Sequence, residues 1–150
     1  MKFGDLDSLY REVILDHHRH PRGRDPLERV DLHSEGANPS CGDEVTLELM
    51  LDGDRIAQAF VRVHGCSICM ASGSILSELV KGKDEAESVH MAEQFKALLR
   101  GKDAPADAGL GDLEALAGVR QFPLRVKCAL LPWETLREAF ATAGKQSKTP

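Results

Sequence analysis

The sequence predicts an α+β fold in which an antiparallel β-sheet of about three strands carries helices packed on one face. Two adjacent segments of alternating apolar residues are joined by a short turn sequence, which is typical of a β-hairpin. Apolar residues also recur at helical spacing before this hairpin and in several segments after it, which predicts helices that cover the sheet. The 150 residues, 42% hydrophobic and 29% charged, are enough for one domain with a real core.

The first helix is predicted near the start of the chain, with Asp5 or Asp7 as its cap. The residues that recur there at helical spacing are Leu6, Leu9, Tyr10, Val13, Ile14 and His17. Pro21 and Gly23 end this helix, because neither residue continues it favourably. A polar connection over residues 24–40 follows, and it has room for one short strand.

The two strands of the hairpin come next. The apolar residues of the first strand are Val45, Leu47, Leu49 and Leu51. Asp52-Gly53 forms the turn, and the second strand runs over about 55–64. One face of the second strand holds Ala57, Ala59, Val61 and Val63. Because Ile56 and Phe60 fall on the opposite face, this strand is expected to contain a bulge or to be buried on both faces.

Gly65 ends the second strand, and an amphipathic helix follows that stops before Gly82. Its inner face is predicted to consist of Ile68, Ala71, Ser72, Ile75, Leu76 and Leu79. Another helix runs from near Asp84 to Arg100, and the charged stretch KDEAE is interpreted as its solvated start.

Two further helices are predicted after the loop KDAPADAGLGD. A short one, residues 113–117, has Asp112 as its cap and ends at Gly118. The final one covers 131–142, with Pro132 in its first turn. Its inner face is predicted to consist of Leu136, Ala139 and Phe140.

Composition narrows the functional class. Residues 1–143 are expected to form a single domain and 144–150 a disordered tail. The net charge is −5 with no basic stripe, so no nucleic-acid partner is expected. No apolar run is long enough to span a bilayer and the start lacks a secretory signal, so a cytoplasmic, membrane-free protein is expected. In a reducing cytosol, four cysteines favour metal or sulfur chemistry over disulfides.

Three cysteines lie where secondary-structure elements end, so they can converge at one end of the sheet. Cys41 precedes a strand, Cys66 follows one, and Cys128 lies at or just before the start of the final helix. Near helix N-termini, unpaired N–H groups and the helix dipole favour the thiolates of Cys66 and Cys128. Asp43, two residues after Cys41, can share its face, and Gly42 permits a tight bend between them.

Three thiolates and a carboxylate supply the four donors of a tetrahedral Zn²⁺ site. The spacing alone is a weak signal, because zinc fingers use two local Cys-x-x-Cys pairs and this chain has only Cys66 and Cys69. Buried cysteines that pack as small apolar side chains explain the pattern equally well. A redox dithiol is a further alternative, although no βαβ pattern surrounds the pair.

Four sequence blocks occur in a characteristic order: LYREVILDHHRHPRG, NPSCGDEVTL, GCSICMASGSILSELVKGK and LGDLEALAGVRQFPLRVKCALLPWETL. Together they resemble the iron–sulfur cluster assembly family of IscU and the NifU N-terminal domain, in particular its zinc-containing SufU branch. The resemblance covers nearly the whole chain and implies an IscU/SufU-like fold. The metal ligands that it implies are Cys41, Asp43, Cys66 and Cys128. Cys69 occupies a position where the family usually has a small residue, so it is expected to pack beneath the site, with a resolving thiol as the alternative.

Within this family, three departures favour a sulfur acceptor over a cluster scaffold. The scaffold branch has a histidine before its last ligand cysteine, whereas this chain has Lys127, whose ammonium is not a ligand. The Leu-Pro-Pro-Val-Lys chaperone motif of scaffolds is replaced by FPLRVK. The segment between Lys83 and Val126 resembles the longer insert of the SufU branch.

The resemblance implies that Zn²⁺ holds Cys41 as a thiolate until a SufS-type cysteine desulfurase docks and a partner side chain replaces Cys41 at the metal. The freed thiolate then accepts the persulfide sulfur, which passes to a SufBCD-like assembly complex. Cys41 is predicted as the carrier because a loop cysteine leaves a metal with little disruption. Arg125 is expected to steer the partner or to stabilise sulfur anions, and a solvated surface arginine is equally compatible.

Two alternatives remain open from the sequence. One is an IscU-type scaffold on which a [2Fe-2S] cluster is assembled and transferred, with iron or a transient cluster as its cofactor. The other is a zinc-stapled interaction module that accepts no sulfur.

The histidines and large aromatic residues are assigned structural roles. His17, His18 and His20 fall on different faces of a helix end, which favours a polar or partner-facing terminus over a metal site. His64 is expected on the surface. Trp133 and Phe140 are expected in the core.

Overall fold

The computed structural model describes residues 3–102 and 109–147. The elements in chain order are α1 (Phe3–Arg19), β1 (Leu32–Asn38), β2 (Asp43–Asp52), β3 (Arg55–His64), α2 (Ser67–Leu79), α3 (Glu85–Leu99), a 3₁₀ helix (Gly111–Gln121) and α4 (Pro123–Ser147). The strands form one antiparallel sheet in the order β1-β2-β3. The predicted α+β class is therefore confirmed, and the strand expected within 24–40 is β1.

The hairpin of β2 and β3 presents one buried face to the helices. The buried residues of this face are Val45, Leu47, Leu49, Ile56, Ala59, Val61 and Val63. Met50 pairs with Gln58 and Leu51 pairs with Ile56, so Ala57 is an extra residue in β3. This bulge reverses the alternation of side chains and turns Ile56 toward the core, as the sequence pattern predicts.

The helices cover that face of the sheet and enclose the core. Helix α4 packs against β1 and β2, and α2 packs against β3. Gly73 allows the close approach of α2, because a Cβ atom there would lie 3.0 Å from methyl groups of Val61 and Val63. Trp133 and Phe140 are buried, which confirms their prediction as core residues.

The outer edge of β3 is covered by neighbouring backbone. The N–H of Val61 donates to the carbonyl of Gly23 at 2.8 Å. At the hairpin end, the N–H of Ile56 donates to the carbonyl of Lys83 at 2.9 Å, and the N–H of Gly82 donates back to the carbonyl of Ile56 at 2.8 Å. The chain therefore occupies this edge of the sheet at Ile56 and at Val61.

The central helices agree with the sequence pattern, whereas the first cap does not. Helix α3 has Asp84 as its N-cap, with a capping box to Glu87, and KDEAE forms its solvated start as predicted. Helix α1 begins at Phe3, so Asp5 and Asp7 lie inside it rather than at its cap. None of the helices in the described parts of the chain is both long and apolar enough to cross a membrane.

Two predictions near the end of the chain are wrong. The short helix is a longer 3₁₀ helix, Gly111–Gln121, and it continues past Gly118 without a side-chain cap. The final helix begins at Pro123, so Pro132 lies in its interior rather than in its first turn. In addition, residues 144–147, which were predicted to belong to a disordered tail, are part of α4. The rest of the predicted tail, 148–150, lies outside the described residues. Residues 103–108 of the predicted loop also lie outside them.

His17 is buried, not exposed at a helix terminus as the sequence suggests. Its Nε2 lies 3.1 Å from a carboxylate oxygen of Asp112, so this nitrogen carries the proton. Its Nδ1 lies 2.6 Å from the hydroxyl of Ser74 and 3.0 Å from the guanidinium of Arg22. His17 thus joins α1 to α2 and to the 3₁₀ helix, while His18 is exposed.

His17→Ala is expected to lower the free energy of unfolding by about 2 to 3 kcal/mol, because it removes buried hydrogen bonds and leaves a cavity. The matched control is His18→Ala, whose side chain is exposed. Urea denaturation of both variants in the same metal state checks the prediction. A loss for His17→Ala no larger than that for His18→Ala would contradict the structural role of the buried imidazole.

Candidate metal centre

The sheet brings Cys41, Asp43 and Cys66 to one end of the molecule, and α4 adds Cys128. Cys41 lies in the turn before β2, and Asp43 is the first residue of β2. Because β2 and β3 pair from Glu44 and His64, the start of one strand lies beside the end of the other. Cys66 then caps α2. The convergence predicted from the element boundaries is therefore present in the structure.

Cys41, Asp43 and Cys128 form a compact group, and each offers a ligand atom within 4.8 Å of the others. The Cys41 thiol donates to Asp43 Oδ2 at 2.9 Å, and the Sγ atoms of Cys128 and Cys41 are 3.0 Å apart. Cys66 lies outside this group of three, but its Sγ is 3.6 Å from Asp43 Oδ2. Asp43 is thus the common neighbour of two cysteines that lie on separate elements.

The carboxylate of Asp43 is closely surrounded by other atoms, and Asp43 is only 1% exposed. The backbone N–H of Cys66 donates to its Oδ1 at 2.8 Å. Gly65 borders the other side, where a Cβ atom would lie 2.7 Å from Asp43 Cγ and closer still to Oδ1. Only a residue without a side chain lets the carboxylate reach this position, and no spacing rule in the sequence signals this role of Gly65.

Burial raises the pKa of Asp43, but hydrogen bonds from the thiols of Cys128 and Cys41 and from the backbone of Cys66 outweigh it, so the net pKa is lowered. Burial raises the pKa of the Cys128 thiol, and Asp43 raises it further. The carboxylate of Asp43 therefore stays charged while the Cys128 thiol holds its proton.

Cys128 departs from the sequence expectation. Since α4 begins at Pro123, this cysteine lies in the second turn rather than at the helix start. The free N–H groups that favour a thiolate belong to the first turn, so Cys128 does not benefit from them as the sequence pattern predicted.

Cys41 opens onto a cleft of about 250 Å³ that is lined by Ser40, Cys41, Leu124, Arg125 and Lys127. Cys41 is half-buried, whereas Leu124 is 79% exposed. The neighbouring sulfur atoms of Cys128 and Cys66 raise the pKa of Arg125. The cleft therefore combines one accessible thiol with two cations.

Cys69 lies beneath the group in the core and is completely buried. Its backbone N–H faces Cys66 Sγ at 3.5 Å, while burial strongly raises the pKa of its own thiol. This geometry agrees with the interpretation of Cys69 as a small packing residue. His64 is exposed, as predicted.

Tyr10 is a neighbour of the centre that the sequence places only on the inner face of a helix. Burial and the sulfur of Cys66 raise the pKa of its phenol, and the nearby Arg125 opposes that shift. The ring packs against Gly118, where a Cβ atom would lie 3.3 Å from it. Tyr10 is far from Cys66 and Arg125 in the chain, so the sequence does not show that they are neighbours. The packing of α1 against the 3₁₀ helix brings them together.

The chemistry of the donor set fits a tetrahedral metal. Zn–S distances of about 2.3 Å and Zn–O distances of about 2.0–2.2 Å separate neighbouring ligand atoms by about 3.5–3.8 Å. Three contacts among these sulfur and oxygen atoms measure 2.9, 3.0 and 3.6 Å. Each would reach such a distance if the two atoms moved apart by less than about 1 Å. Three sulfurs and one carboxylate oxygen thus suit Zn²⁺ in number and type, and Cys66, which lies outside the compact group, would have to move closer to the other donors to complete a tetrahedron.

Comparison with known families gives a match over most of the chain. The model of the NifU-like N terminal domain matches residues 9–129. The chain is 42% identical over 140 residues to the zinc-dependent sulfurtransferase SufU of Bacillus subtilis. The aligned region covers 91% of this chain and 92% of that protein. It is 37% identical to the iron-sulfur cluster assembly scaffold protein IscU of Streptococcus pyogenes, over 93% of this chain and 87% of that protein.

Solved structures show the same fold. A protein of Fervidobacterium islandicum assigned as an iron-sulfur cluster assembly scaffold for the SUF system superposes with a TM-score of 0.80 at 36% identity. The match covers 88% of this chain and 96% of that one. An N-terminal NifU-like protein of Brucella abortus superposes with a TM-score of 0.83 at 20% identity, which supports the fold alone.

Gly65→Ala is expected to weaken zinc binding at least about tenfold, because the new methyl group displaces the carboxylate of Asp43. Gly53→Ala is the matched control, since Gly53 also has a positive φ but a Cβ atom there meets nothing within 4 Å. Competition with a chromophoric chelator measures both affinities. Equal affinities for the two variants would show that the position of Asp43 does not govern metal binding.

Proposed function

The chain belongs to the NifU-like N-terminal domain family, and we propose that it is an iron–sulfur cluster assembly protein that acts as a zinc-bound sulfur acceptor. In this proposal Cys41 takes persulfide sulfur from a SufS-type cysteine desulfurase. It then delivers this sulfur to a SufBCD-like assembly complex in the cytoplasm. The similarity to the zinc-dependent SufU sulfurtransferase along 91% of the chain supports this choice within the family.

The observation that carries the proposal is the position of Cys41 in the cationic cleft. Cys41 is the cysteine that lines this cleft, whereas Cys69 and Cys128 are buried. A donor enzyme that presents a persulfide on its surface can therefore reach Cys41 without unfolding the core. Arg125 and Lys127 in the walls are suited to attract the negative charge that a persulfide carries at neutral pH.

The proposed transfer is a nucleophilic displacement. The Cys41 thiolate attacks the outer sulfur of the donor persulfide, a new S–S bond forms on Cys41, and the donor cysteine leaves as a thiolate. No oxidant is needed, because one S–S bond replaces another. Zn²⁺ held by Cys41, Asp43, Cys66 and Cys128 would keep these thiols deprotonated at neutral pH.

Each side chain has a separate task in this proposal. Asp43 orients the centre, because the backbone N–H of Cys66 fixes its carboxylate. Arg125 holds the incoming or the transferred sulfur anion at the mouth of the cleft. Lys127 lies directly before Cys128 and cannot ligate iron while it is protonated, which disfavours a stable cluster at this centre.

A scaffold that assembles a [2Fe-2S] cluster is the second candidate. It draws on the similarity to IscU of Streptococcus pyogenes and on a donor set rich in thiols. Reconstitution with iron and sulfide distinguishes the two functions. A stable coloured cluster, combined with no sulfur on Cys41, would favour the scaffold.

Cys41→Ser is expected to abolish sulfur acceptance, whereas Cys69→Ser is expected to retain it with normal zinc content, because Cys69 lies in the core away from the cleft. The assay follows alanine production by the desulfurase with and without this protein, and mass spectrometry locates the added sulfur. Loss of transfer in Cys69→Ser with zinc retained would make Cys69 a resolving thiol and reject its packing role.

Cys128→Ser is expected to remove the stabilisation that zinc provides, since the free energy of metal binding adds to that of folding. A chelator should lower the melting temperature of the wild-type protein by several degrees and that of the variant by roughly none. Serine nearly matches cysteine in size, so the metal-free proteins serve as the control for packing. An equal effect of the chelator on both proteins would contradict the assignment of Cys128 as a ligand.

A further inference from the structure

A groove of about 910 Å³ lies at the opposite end of the molecule from the cysteines. Side chains of β1, the β2–β3 hairpin, α3 and α4 line it. Leu51, in this lining, lies eight residues along β2 from Asp43, which is a distance of about 26 Å at 3.3 Å per residue. The groove therefore belongs to a surface separate from the metal centre.

The floor of this groove is apolar. It is formed by the half-buried residues Leu32, Leu51 and Val89 together with the edge of Phe140. These residues come from four different elements, so their positions are set by the packing of the fold rather than by a flexible loop. A ligand that covered them would remove apolar surface from water, which favours binding.

The rim of the groove is acidic. Four carboxylates line it, those of Asp54, Asp84, Glu85 and Glu93, and no lysine or arginine among residues 10–102 and 109–143 is part of the lining. Among residues 10–102 and 109–143, no side chain forms an ion pair with any of these four. The four carboxylates of the rim therefore have no direct ion-pair partner in that part of the chain.

We infer that this groove is a docking site for a short basic amphipathic helix of a partner protein. Apolar side chains on one face of such a helix cover the floor, while lysine and arginine residues on its flanks meet the acidic rim. A helix suits the groove because it satisfies its own backbone hydrogen bonds, and the walls are mainly the side chains of α3 and α4.

The distance between the two surfaces has a consequence for binding. A partner in the groove leaves the Cys41 cleft open, so the protein is able to hold one protein while another reaches the thiol. The cleft has the opposite charge, with Arg125 and Lys127 in its walls. The same basic helix is therefore repelled from the cleft, and the two surfaces select different partners.

The test uses a helical peptide of about 14 residues with leucine on one face and lysine on the other. Fluorescence anisotropy measures its affinity, and NMR chemical shifts of the labelled full-length protein locate it. We expect shifts at the groove and an affinity that falls as salt rises. The acidic analogue, with glutamate in place of lysine, and an analogue with serine in place of leucine should each bind at least about tenfold more weakly.

The groove variant is Asp54→Lys/Glu93→Lys, which leaves Asp84, the cap of α3, intact. It should weaken peptide binding at least about tenfold. The control is Glu12→Lys/Glu114→Lys, which changes the net charge equally at exposed positions outside the groove. Val89→Gln tests the apolar floor without adding charge, and it should weaken binding several-fold.

Equal losses in the groove and control variants, or chemical shifts away from the groove, would overturn the inference in favour of unspecific charge attraction. Sedimentation velocity tests a second occupant: self-association that the groove variant abolishes would assign the groove to another copy of this chain and overturn a separate partner. The groove variants should accept sulfur on Cys41 as the wild-type protein does. A failure of docking is thereby distinguished from a failure of the proposed function.

Discussion

The burial of the Asp43 carboxylate is the constraint on which the metal centre depends. A charge in this position is unfavourable unless donors compensate for it, and here the donors come from two separate parts of the chain, the β1–β2 turn and the start of α2. The N–H at the start of α2, the thiol of the β1–β2 turn and the thiol of Cys66 all point at this carboxylate. Gly65 makes the approach of the carboxylate possible, because a side chain at this position would collide with Asp43. The start of β2, the end of β3 and the start of α2 are held together by this charge.

Local patterns in the sequence predict most of the fold because they act over a few residues. The alternation in β2, the Asp52-Gly53 turn and the bulge in β3 each follow from side chains within one hairpin. The proximity of Cys41, Asp43 and Cys66 is also predictable, since each lies near the end of an element. Cys128 joins them from the second turn of α4, a position that the local pattern does not predict. The capping box of α3 is similarly contained within four residues.

The remaining features depend on contacts between distant segments, which local patterns do not reveal. Pro132 suggests a helix start, yet α4 continues through it because packing on the sheet and on α2 compensates for the lost hydrogen bond. The hydroxyl of Ser72 donates to the carbonyl of Ala129 at 2.6 Å, close to that interruption. His17 is buried only because Ser74 and Asp112, from other elements, supply its partners. The acidic groove is likewise assembled from four elements and has no signature in any one of them.

The covered edge of β3 has a consequence for association through the sheet. Gly23 and the segment at Gly82 and Lys83 occupy the backbone groups along that edge, so an added strand finds few partners there. Within the described residues, β1 pairs only with β2 and forms the other margin. A strand from another molecule would therefore pair with β1 rather than with β3. There the exposed His33 and Glu35 would place ionisable side chains beside the added strand. An added strand thus meets occupied backbone groups at β3 and ionisable side chains at β1.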